Sequence, residues 1–86
     1  MPGRGTKLII DSLYPGREGL IERGLREYPV FRELCEDYRR CFVALENLRV
    51  AGATGHPERV REYEDLLVEL ARELDSCLEG LEQGQA

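Results

Sequence analysis

Two matched apolar seams constrain this chain more than anything else in it. Phe31, Leu34, Tyr38, Cys41, Leu45 and Leu48 advance by three or four residues at each step, and so do Val60, Tyr63, Leu67, Leu70, Leu74, Cys77 and Leu81. That is the a/d spacing of helices packed along a seam. A short breaker containing Gly52, Gly55 and Pro57 separates the two runs, so the pattern predicts an antiparallel helical hairpin. Both strips are wider than a hairpin needs. Cys35 and Phe42 extend the first, and Leu66, Ala71 and Leu78 extend the second. A helix apolar at a, d and e can touch two neighbours, so the expectation is an all-α protein whose hairpin dimerises into an antiparallel four-helix bundle. The seam residues from Phe31 to Leu48 and from Tyr63 to Cys77, with Cys35, Phe42, Leu66 and Leu78, would form its core or dimer interface. Phe42→Glu or Leu78→Glu is then expected to break the assembly by placing a charge in an apolar interface.

The 86 residues fit one domain, which at this size is marginal if it must bury its own core. A hydrophobic fraction of 42% with 34% charged residues describes a folded, charge-rich helical chain, away from the composition of disorder. No apolar run approaches the ~20 residues of a membrane span, and the start Met1-Pro2-Gly3-Arg4-Gly5-Thr6-Lys7 does not read as a signal peptide. Three cysteines leave an odd thiol and form no Cys-x-x-Cys pair, which favours reduced thiols and a cytoplasmic location. A net charge of −5 argues against a sequence-independent grip on nucleic acid, which needs many cations on phosphates.

Along the chain, residues 1–16 read as an N-terminal arm or tail, in which Thr6 to Ile10 is expected to be a short strand or an extended segment packed locally or against a partner subunit. Residues 17–82 form one helical domain. A short helix over 17–27 carries Leu20, Ile21, Leu25 and Tyr28 on a broken apolar face, weakened by Gly19 and Gly24 at up to ~1 kcal/mol each. Tyr14-Pro15-Gly16 reads as a turn signal and also as a helix start, and Pro29 as the first residue of the next helix, because proline's fixed φ and missing N–H suit that position. The long helices are placed at 29–51 and 57–81, with Glu36 and Arg40 paired at i, i+4 and residues 83–86 a loose tail.

Candidate chemistry is sparse. A hairpin turning near Thr54 brings Cys35 within a turn of Cys77, a possible thiol pair if their Cα atoms lie ~4.4–6.8 Å apart with converging side chains. Cysteine is also a small buried hydrophobe, and packing alone explains its place at the seams. His56 stands alone in the breaker, so neither a Glu-x-x-His bundle site nor a zinc spacing is present, and no metal or cofactor is expected. Residues 57–86 hold nine acidic against three basic residues, and Asp65, Glu69 and Glu73 form an i, i+4 ladder. Such a ladder is either a solvated face or a surface for a basic partner.

The runs Tyr28-Pro29-Val30-Phe31-Arg32-Glu33-Leu34-Cys35-Glu36-Asp37-Tyr38 and Glu62-Tyr63-Glu64-Asp65-Leu66-Leu67-Val68-Glu69-Leu70 resemble small bacterial helical-hairpin proteins of the YdcH-like kind, in which F-x-x-L-x-x-x-Y opens the first long helix. The resemblance covers residues 28–82. It implies a cytoplasmic hairpin of unassigned biochemical role and carries over no catalytic residue. The functional expectation is therefore a non-enzymatic interaction or structural module acting as a homodimer, without nucleic acid or membrane partners. A thiol redox or metal-responsive switch at Cys35 and Cys77 is the alternative.

Overall fold

A computed structural model describes residues 4–50 and 57–84 of the chain. Among these the order is α1 (Arg4–Leu13), α2 (Glu18–Glu27), α3 (Pro29–Val50) and α4 (Pro57–Glu82), with no strand. The long pair matches the expected hairpin to within one residue at each described end. Ala51, Gly52, Gly55 and His56 lie outside the described residues. At ~1.5 Å per residue, the 26 residues of α4 set the long axis of a molecule measuring 46 × 22 × 22 Å.

The first helix departs from the strand or extended arm expected for Thr6 to Ile10. Thr6 and Ile10, four residues apart, are both fully buried, with Ile9 half-buried beside them. Tertiary burial of that i, i+4 face overrides the β preference of Thr6, Ile9 and Ile10. After α1, Gly16 adopts φ +89, a left-handed turn that defers the next helix to Glu18, so of the two readings of Tyr14-Pro15-Gly16 the turn holds and Pro15 does not open α2. Pro29 does open α3. Tyr28 before it is extended at φ −121, ψ 100, as the proline ring requires. It gives its N–H to Gly24 O at 2.9 Å and accepts from Arg32 N at 3.0 Å, so one residue closes α2 and begins α3. At the other end, Gly84 turns left-handed at φ +75 and returns its N–H to Leu81 O at 3.1 Å, a glycine stop in the segment expected to be a loose tail.

The core gathers where all four helices meet. Phe31, Cys35, Tyr38 and Cys41 of α3 pack with Leu70, Leu74, Leu78 and Leu81 of α4 beneath Ile10 of α1 and Ile21 of α2. The closest approach is at Gly24, where an added Cβ would lie 2.7 Å from a ring carbon of Phe31 and 2.9 Å from Leu81 Cδ1. A residue that looks from sequence like a helix weakener is thus the point where α2 fits between α3 and α4. Gly19, by contrast, has nothing within 4 Å of that position.

Polar fastenings ring this contact. Thr6 Oγ1 donates to Glu36 Oε2 at 3.1 Å, and Glu36 also pairs with Arg39 at 3.3 Å. Arg40 pairs instead with Asp37 at 3.0 Å, so the expected Glu36–Arg40 pairing gives way to two i, i+3 contacts. Tyr14 donates its hydroxyl to Asp75, Arg17 pairs with Glu82, and Arg23 Nη2 reaches Leu81 O at 3.4 Å. Among the described residues, the two buried side-chain atoms without a hydrogen-bond partner are Asp11 Oδ1 and Arg23 Nε, on α1 and α2. An unpaired buried polar group costs about 1–3 kcal/mol, so the short helices carry a penalty the hairpin lacks.

The two glycines of α2 separate packing from propensity. Gly24→Ala is expected to destabilise by about 1–3 kcal/mol through overpacking against Phe31 and Leu81. Gly19→Ala is expected to stabilise by up to ~1 kcal/mol. Urea denaturation of the two variants checks this, and equal shifts in the same direction would contradict the close approach.

Candidate functional site

Burial along the hairpin is uneven. All the fully buried residues of α4 fall between Leu70 and Leu81, and none between Pro57 and Glu69. On α3 they run from Phe31 to Leu45. The half of the hairpin remote from its turn, the root, is closed by α1 and α2. Among the described residues, the half nearer the turn has only its two helices. There Phe42, Leu48, Val60, Tyr63 and Leu67 are half-buried, while Leu66 is 44% exposed and Val43, Val50 and Val68 are exposed too.

These residues continue the covered strip. Phe42 lies two helical turns beyond Cys35, and Leu67 and Val60 follow Leu78, Leu74 and Ala71 at spacings of three, four and seven. One apolar face therefore runs the length of the hairpin, sealed at the root and open near the turn. Arg49 Nη2 to Glu64 Oε2 at 2.9 Å ties α3 to α4 in the open half.

Of the positions expected to make a core or dimer interface, Phe31, Cys35, Tyr38, Cys41, Leu45, Leu70, Leu74 and Leu78 are buried within the single chain. Leu34, Leu48, Phe42, Tyr63, Leu67 and Cys77 are half-buried, and Leu66 is exposed. Leu78, only 2% exposed, is unavailable to a second copy while the fold is closed, so Leu78→Glu would attack this chain's own core. Asp65, Glu69 and Glu73 all face solvent, and none joins an ion pair among the described residues. Sequence reasoning missed Tyr14, Arg17 and Gly24. Helical spacing of Thr6, Ile10 and Leu13 was the available signal for α1.

The cysteines are free thiols. Burial pushes the Cys35 thiol from 9.0 up to about 12, with Cys77 and Glu36 adding to the effect. Burial also raises Cys41, and burial and then Glu73 raise Cys77. Cys41 Sγ donates to Tyr63 O at 3.4 Å. These are protonated thiols at neutral pH, whereas nucleophilic attack and metal ligation need the thiolate. Tyr14 is likewise held well above its usual pKa, by burial and then by its hydrogen bond to Asp75, with Tyr38 and Cys35 close enough to contribute.

Two open grooves flank the root. One of about 490 Å³ runs between Tyr28, Pro29 and Val30 on one side and Ser76, Cys77 and Gly80 on the other. The second, also about 490 Å³, follows the Tyr14 and Arg17 fastenings over Asp75 and Glu82. Among the described residues, no three His, Cys, Asp or Glu side chains gather as a metal site would require. No helix is long and apolar enough to cross a membrane among them.

A thiol whose pKa is raised on folding stabilises fully below its unfolded value, and that contribution is lost as pH climbs toward the folded value. For Cys35 the window opens near 9.0 and extends to about 12. Wild type is therefore expected to lose stability faster than Cys35→Ala between about pH 9 and about pH 11 in denaturant titrations. Parallel curves would contradict the buried-thiol assignment.

Compared with known proteins, the chain matches no family model, no curated protein and no solved structure.

Proposed function

We propose that this chain is a non-enzymatic interaction module that works as a homodimer, two copies meeting through the turn-proximal halves of their hairpins. The observation that carries this reading is the open half of the apolar strip. Phe42, Leu66 and Leu67 stand without a third helix there, while the same strip at the root is sealed by α1 and α2. A second copy brings an equivalent strip, and an antiparallel two-fold arrangement would pair each open half with the other in a local four-helix layer. This places the interface nearer the turn than a full-length bundle would, because α1 and α2 already occupy the root. In such a dimer the solvated ladder Asp65, Glu69 and Glu73 would remain available to a basic partner.

A thiol switch is the second reading. One observation favours it: Cys77 packs against the core cluster that contains Cys35. Under that reading, mild peroxide would join the two sulfurs, each thiol losing its hydrogen as the peroxide is reduced to water. Non-reducing mass spectrometry would find the cross-linked peptide. Absence of the cross-link under native conditions would remove it.

The interface is tested at Leu66, whose exposure leaves the single chain's core untouched. Leu66→Glu is expected to shift the protein from two chains to one in sedimentation while helical circular dichroism stays the same. Phe42→Glu should do likewise with some loss of stability, since Phe42 is half-buried. An unchanged sedimenting mass for both variants would overturn the interface.

A further inference from the structure

We infer that α1 and α2 form a displaceable cover, which opens about Tyr28 while the hairpin stays folded and bares the root of the strip to a second copy's hairpin. The second half of this inference rests on the dimer reading above.

Several observations converge on the two short helices. Each has ten residues, below the length at which a helix is stable alone, so both depend on the surface they cover. The buried polar atoms lacking partners among the described residues belong to them, Asp11 on α1 and Arg23 on α2. Each such group is desolvated on closing with incomplete return, which lowers the free energy of opening this unit relative to the hairpin. The hairpin carries no matching defect among its described residues, and its apolar seam is continuous.

The connection favours motion as a unit. α2 joins α3 through Tyr28 alone, an extended residue before proline, so rotation there moves α2 and α1 together without unwinding α3. What holds the cover closed at the far side lies at the surface: the Tyr14 hydroxyl on Asp75 and the Arg17–Glu82 pair, both partly exposed. Exposed ion pairs contribute little, so the clasp is weak compared with a core.

Beneath the cover lie Cys35, Leu74 and Leu78, at most 2% exposed. They are in register with Phe42 and Leu67 on the open half, so removing the cover lengthens one continuous apolar face. The closed cover thus limits how much of the hairpin a second copy can reach. The occupant is a second copy, since its hairpin carries the same strip and the bared face is continuous with the proposed interface.

Cys35 reports opening directly. It is fully buried one residue from Glu36, which accepts the Thr6 hydroxyl of α1, whereas Cys41 hydrogen-bonds to Tyr63 O within the hairpin. Full-length protein carrying Tyr14→Phe and Glu82→Gln is treated with iodoacetamide under native conditions, and each cysteine is followed by peptide mass spectrometry. Labelling of Cys35 is expected to rise about tenfold over wild type while that of Cys41 is unchanged. The same variant should dimerise at lower concentration than wild type in a dilution series. Equal changes at Cys35 and Cys41, or none at either, would overturn the cover. Selective labelling of Cys35 with an unchanged dimerisation midpoint would overturn its role in limiting the second copy. A wild-type protein that is monomeric at all concentrations would instead sink the dimer reading, which the labelling ratio does not measure.

Discussion

The structure depends on a mismatch of width: each long helix carries more apolar surface than one antiparallel neighbour can cover. Two helices bury an a/d seam, and positions such as Cys35, Phe42 and Leu78 need a third element. At the root that element is supplied in cis. The fit turns on Gly24, where α2 approaches so closely that an added Cβ would force Phe31 or Leu81 to shift. It turns equally on Tyr28 and Pro29, which stop one helix and start the next within a single residue. Without that sharp elbow, α2 would continue away from the hairpin and leave Ile21 with nothing to pack against.

Much of this was legible in the sequence. The spacing of apolar residues located α3 and α4, and Pro29 and Pro57 marked where each begins, because proline acts locally and its effect does not depend on the rest of the fold. The first helix was not legible as such. Gly3, Gly5 and the β-branched pair Ile9-Ile10 suggest an arm, and only burial of Thr6 and Ile10 against Glu36 and the core decides for helix. Gly24 misled for a related reason: propensity treats glycine as a cost, while its value here comes from a contact 57 residues away in sequence, at Leu81. The candidate site was half legible. The widened strip was evident from Cys35, Phe42, Leu66 and Leu78, but which part the chain would cover itself depended on the N-terminal segment whose structure was misread.

Electrostatics here serve packing more than chemistry. Three thiols sit where burial keeps them protonated, and the ionised pairs with cross-helix reach, such as Arg17–Glu82 and Arg49–Glu64, lie at the rim. The result is a molecule with one well-sealed end and one end whose apolar residues remain half in water. That asymmetry is what the proposed homodimer would resolve, and the short helices determine how far along the hairpin it can extend.

Amide hydrogen exchange of the wild-type protein across a concentration series tests this most directly, because it reports where association occurs as well as whether it does. The account predicts that amides in 42–50 and 60–69 slow as concentration rises through the dimerisation range, while those around Phe31, Leu74 and Leu78 at the root change little. Exchange in the turn-proximal half that does not depend on concentration, or slowing confined to the root, would contradict it.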